Sequence, residues 1–156
     1  MLVKLLAGLV FLVFVVRLLR FAMGLRAQMR AREEERAAEA ARGRRVVAEL
    51  PLEDGVILFL EDAAGFYWGG DQVARRELHG ARLLLNGGVV AQAARPGVFL
   101  PAPGASVEFD GSEQWEVALH LAGGTERRVS CGRLREGVSR EAASAVFEAA
   151  KAWFEA

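Results

Sequence analysis

Trp115-Glu116-Val117-Ala118-Leu119-His120-Leu121 is the stretch whose reading decides the fold. Trp115, Val117, Leu119 and Leu121 alternate with Glu116, Ala118 and His120. A period of two is the signature of a strand with one buried face, so His120 is expected on the polar side. Toward the C-terminus, Gly123-Gly124 turns the chain into Thr125 to Cys131, where Val129 and Cys131 share a face. Toward the N-terminus, Val107 and Phe109 alternate with Ser106 and Glu108 before an Asp110-Gly111 turn. Pro96, Pro101 and Pro103 break up a loop around Val98-Phe99-Leu100. Arg82 to Leu85 and Val89 to Ala93 flank Asn86-Gly87-Gly88, a hairpin signal because these residues tolerate positive φ. Val56 to Leu60 is an apolar run of strand length, expected to be buried on both faces. Phe66-Tyr67-Trp68 is a short aromatic strand stopped by Gly69-Gly70. Val73 to Leu78 pairs next, and Arg45 to Leu50 is a first strand ending at Pro51.

The last element has a different period. Ala143, Val146, Phe147, Ala150 and Phe154 fall on one helical face with Trp153 beside them. Glu141, Ser144, Glu148, Lys151 and Glu155 fall on the other. Ser139 is the expected N-cap, and Glu141 in the first turn suits the helix dipole. The prediction is an α+β protein. Residues 44–156 form a small antiparallel β domain, a sheet or partly open barrel, closed by a C-terminal amphipathic helix.

Residues 1–25 read as a transmembrane anchor. Leu5 to Val16 is twelve residues without a polar side chain, and Leu18, Leu19, Phe21, Ala22 and Met23 extend it around Arg17 and Arg20. About 20 apolar residues cross a bilayer, so Lys4 and Arg17 or Arg20 would snorkel to the two interfaces. A cleaved signal fits poorly, because Arg17-Leu18-Leu19-Arg20-Phe21 offers no small-residue cleavage site. An interfacial or buried helix is the remaining alternative. Residues 26–43 contain good helix formers with i,i+3 and i,i+4 ion pairs, Glu39 with Arg42 among them, and Gly43 is the expected stop. Past Met29 no large apolar residue occurs in this stretch, which disfavours a coiled coil. Arg17, Arg20, Arg26, Arg30 and Arg32 follow the apolar run, against Lys4 before it. That excess predicts a single-pass protein of the inner (cytoplasmic) membrane, N-terminus out and C-terminal domain cytoplasmic. The same five arginines are the candidate lipid-headgroup contacts.

An anchor, about seven short antiparallel strands and a closing helix with a tryptophan resemble bacterial membrane-anchored pleckstrin-homology-like domains. The resemblance covers roughly Val46 to Ala156. It rests on the strand run from Val107 through Cys131 and the helix carrying Phe147 and Trp153. It implies a binding platform. The basic pocket between the first two strands, which such domains use for phosphoinositides, is not evident, because Glu61 and Asp62 sit there.

Net charge is zero, with 20 basic and 20 acidic residues, so nothing pulls the chain toward nucleic acid. Only Lys4 and Lys151 among the basic residues are lysine, a usage associated with GC-rich bacterial genomes. Cys131 is the lone cysteine and His79 and His120 the lone histidines, with no metal-ligand spacing. Cys131 is expected to be a buried, inert thiol. No nucleophile elbow, P-loop or dinucleotide fingerprint occurs, and the glycine pairs are explained by turns. Phe66-Tyr67-Trp68 as a base-stacking platform would need a basic stripe beside it. The expectation is a non-enzymatic protein without cofactor or metal, whose partners are the lipid bilayer and another membrane or cytoplasmic protein. The alternatives are a structural or assembly subunit of an envelope complex acting through its anchor helix, and an enzyme.

Overall fold

The computed structural model describes residues 2–52, 55–103, 113–132 and 137–155; the side chains of residues 2–12 and 52 lie outside that description. Two compact units make up the chain, Met1–Arg42 and Gly43–Ala156.

The first unit is one helix, α1, Leu2–Ala41. Forty residues at 1.5 Å each give about 60 Å of helix. It stops where its residues dictate: Gly43 takes φ +79°, and the Arg42 amide bonds back to the Ala38 and Glu39 carbonyls. Arg42 Nη1 also pairs with Glu39 Oε1 at 2.5 Å, the expected i,i+3 contact. Among the described residues, no helix is long and apolar enough to cross a membrane. The apolar run that carries the transmembrane reading, Leu5 to Val16, lies outside the described side chains as far as Leu12. From Val13 to Met29 the described part of α1 exposes nine large apolar residues, with Phe14, Phe21 and Met29 each more than 60 % exposed.

The second unit is α+β with two antiparallel sheets. The first is a meander of β1 (Arg45–Leu52), β2 (Gly55–Glu61), β3 (Gly65–Trp68) and β4 (Asp71–Ala74), paired in that order. The second holds β5 (Leu78–Leu85), β6 (Gly88–Ala94), β7 (Trp115–Leu121) and β8 (Glu126–Ser130), in the order β6-β5-β7-β8. The described residues thus hold eight strands where about seven were expected. Among the described residues the partly open barrel is not found. Residues 75–77 turn between β4 and β5, with the Glu77 amide on the Ala74 carbonyl, and β5 pairs with β6 and β7 rather than with β4. The expected strand at Val107 and Phe109 lies outside the described residues. The β5–β6 hairpin forms as its sequence demands: Asn86 and Gly87 join the strands with φ of 49° and 77°, both positive, as a type I′ turn requires.

The core lies between the inner faces of both sheets and α2 (Val138–Glu155). Val117, Leu119, Val129 and Cys131 are fully buried with Val146 and Ala143. Phe59, Phe66 and Trp68 form an aromatic cluster on the first sheet, and Trp153 stacks on Phe66 with ring centroids 3.8 Å apart. Trp153 therefore ties α2 to the first sheet, while Phe147 also joins the shared core. Three expectations need correction. Ser139 is a buried residue of the first helical turn rather than the cap, because α2 starts at Val138 after Gly137. Phe154 is only partly buried, and Ala142 and Ala149 complete the inner face instead. β2 is only half-covered until Phe59 and Leu60.

His120 is the fourth correction. It lies on the face of β7 away from α2, yet only 5 % of it is exposed. The reason is the segment after β6, which folds back over that face. Leu100 packs against Gly80, the partner of His120 in β5, and the Arg82 guanidinium donates to the Pro101 carbonyl.

Candidate functional site

On α1, Arg17, Arg20, Arg26, Arg30 and Arg32 are all exposed. At about 100° per residue, Arg17 and Arg20 lie some 60° apart, while Arg26 and Arg30 point to the other side of the helix. They form a band around the helix, about 22 Å long from Arg17 to Arg32 at 1.5 Å per residue. The apolar residues Leu18, Leu19, Phe21, Met23 and Leu25 are interleaved with them and equally exposed.

In the second unit a cleft of about 610 Å³ opens beside β4, walled by Ala63, Ala64 and Ala74 and rimmed by Arg75, Arg76 and Arg95. Backbone hydrogen bonds fix this corner. The Arg75 amide donates to the Ala64 carbonyl at 2.7 Å, and the Arg95 amide to the His79 carbonyl at 2.9 Å. Arg95 Nη2 then donates to the Arg75 carbonyl at 2.8 Å, stapling the end of β6 to the turn after β4. The Arg75 guanidinium lies 5.2 Å from the centroid of the Trp153 ring, a cation–π contact. No lining residue is acidic, and among the described residues none of the three guanidiniums has an ion-pair partner. Arg95 Nε is buried without an acceptor. The sequence reading missed this cleft: Arg75-Arg76 fell inside an expected strand, and Arg95 lies 19 positions beyond Arg76. The doublet itself was the available signal.

No family model, characterised protein or solved structure matches this chain. Function therefore rests on the geometry of the molecule itself.

The residues that could carry other chemistry are committed elsewhere. Glu61 Oε1 accepts from Trp153 Nε1 at 2.8 Å, and its Oε2 pairs with Arg45 at 2.5 Å. Asp62 Oδ1 accepts from the amides of Ala64 and Gly65 and from the Tyr67 hydroxyl. Burial pushes the Asp62 carboxyl up, but these bonds and Arg44 outweigh it and hold the carboxyl below its usual range. Both acids thus serve the β2–β3 turn and the helix contact, in the place where a basic pocket was sought.

Cys131 is fully buried, its thiol pushed up to about 12 by burial and by Glu116, which leaves no thiolate near neutral pH. Burial lowers the His120 pKa, against the opposing pull of Glu126 3.7 Å from Nδ1. Among the described residues no group of acidic, histidine or cysteine side chains is placed to hold a metal. A second cavity of about 370 Å³ lies under the segment after β6, but its one cation, Arg82, is already bonded to Gln92 and the Pro101 carbonyl.

Proposed function

We propose that this protein is a membrane-tethered binding or scaffold module: α1 holds it at a bilayer, and the β domain is presented on the cytoplasmic side. One observation carries the reading. The described part of α1 exposes Val13, Phe14, Val16, Leu18, Leu19, Phe21, Met23 and Leu25 on every side, at the end of the apolar run from Leu5 and directly after it. Apolar surface of this extent is costly in water, and it lies all round the helix rather than on one stripe. A hydrocarbon environment satisfies every side at once, whereas a single protein groove covers one. The arginine excess after the run supports the orientation. The two-sheet domain closed by α2 supports a pleckstrin-homology-like platform.

The topology is tested by fusing a reporter active only in the cytoplasm after Ala156. Activity is expected there, and silence is expected from an exported-type reporter at the same position. The reverse pair of results overturns the orientation.

A further inference from the structure

We propose that the cleft bounded by Arg75, Arg76 and Arg95 is a binding site for a phosphate monoester. The argument starts from charge. Three arginines line one concave surface, and no described carboxylate pairs with them. Like charges held together repel, and partial burial of Arg75 and Arg95 strengthens that repulsion. An anion in the cleft removes the penalty. Arg95 is satisfied only in part: Nη2 donates to the Arg75 carbonyl, while Nε is buried without an acceptor. The segment is not loose. Arg95 is held through Nη2 to the Arg75 carbonyl, and Arg75 by its amide to Ala64 and its guanidinium over Trp153, so two of the three cations are already positioned before a ligand arrives.

Chemistry narrows the ligand. Arginine forks match the oxygens of phosphate, and three of them suit a dianion better than a single carboxylate. The cleft is far larger than inorganic phosphate needs, and its alanine walls offer apolar contact, so the phosphate is carried on a small organic group. A soluble phosphate ester and a phosphatidic-acid-type lipid headgroup share this chemistry. Every residue lining the site lies in the second unit, and the proposal does not rest on the membrane tether.

The experiment uses the full chain in nanodiscs of neutral phosphatidylcholine, titrated calorimetrically with glycerol 3-phosphate and, as a matched control, with uncharged glycerol. Saturable binding of the phosphate ester alone is expected. Arg76→Gln removes an exposed side chain with no bond among the described residues, and Arg95→Gln removes the partly buried one. Each should weaken binding about tenfold, the loss of one charge-assisted hydrogen bond. Adding phosphatidic acid to the nanodiscs distinguishes the sources. Competition that Arg76→Gln relieves identifies a headgroup, and its absence identifies a soluble ester. No saturable binding by the wild-type chain, or equal binding by wild type and folded Arg76→Gln, overturns the proposal.

Discussion

Two buried titratable groups make the β domain sensitive to pH at opposite ends of the scale. His120 faces Glu126, Arg82 and Arg128 on the outer face of the second sheet, and its Nε2 is buried without a partner. Burial depresses its folded pKa below 6.5, so the unfolded chain binds this proton more readily. The stability His120 contributes is present above about pH 6.5 and is lost as the pH falls through the folded value. Cys131 acts in the other direction. Its folded pKa of about 12 exceeds the ordinary 9, so its contribution is full below pH 9 and is lost as the pH rises toward 12. Urea midpoints between pH 5 and 7 should fall on the acid side for the wild type and fall less for His120→Gln. An unchanged slope in that variant removes His120 from the acid response. At pH 8 a thiol reagent should label Cys131 only in denaturant; rapid labelling of the native chain would contradict the buried placement.

At the scale of single elements, the β3–β4 hairpin depends on a close approach. A Cβ on Gly65 would sit 2.3 Å from the Val73 carbonyl, which is backbone and has nowhere to go. Gly65→Ala should therefore separate β3 from β4 and lower the melting temperature, whereas Gly55→Ala, which meets open space, should not. The closing helix gives a second test. Phe147 is 4 % exposed within the core, and Phe147→Ala should cost about 3–5 kcal/mol in a denaturant titration. A change below about 1 kcal/mol would mean that α2 presents another face. These elements also show what local sequence can encode. The Asn86-Gly87 turn, the Gly43 stop and the inward Val117 and Leu119 were legible, because each depends on φ preference or periodicity within a few residues. The covering of His120 was not, since it depends on Leu100 and Pro101 folding back from a proline-broken loop. Nor was the partition into two sheets, because a continuous apolar or polar alternation does not say which neighbour a strand takes. Of the arginine cleft only the Arg75-Arg76 doublet was legible, because Arg95 meets Arg75 through a tertiary hydrogen bond and not through spacing.

At the scale of the whole molecule, the proposed membrane tether raises the question whether Arg17, Arg20, Arg26, Arg30 and Arg32 would grip lipid or only orient the chain. Their placement as a band around α1, with exposed Leu18, Leu19 and Phe21 among them, suits a helix passing through the headgroup layer rather than lying flat with one basic face. Basic side chains there attract anionic lipid, and screening over about 8 Å at physiological ionic strength should erode that attraction. A chain beginning at Arg17 should therefore co-sediment with phosphatidylglycerol vesicles at low salt and less so as salt rises. Arg26→Gln, Arg30→Gln and Arg32→Gln together should weaken it further. Phosphatidylcholine vesicles isolate the apolar contribution, because Leu18, Leu19 and Phe21 can insert without any charge. Equal binding to neutral and anionic vesicles would leave the arginines as orientation signals alone. The Arg76→Gln substitution serves as an internal comparison. If it lowers vesicle binding as much as the α1 triple variant does, the β domain shares the lipid contact with the helix.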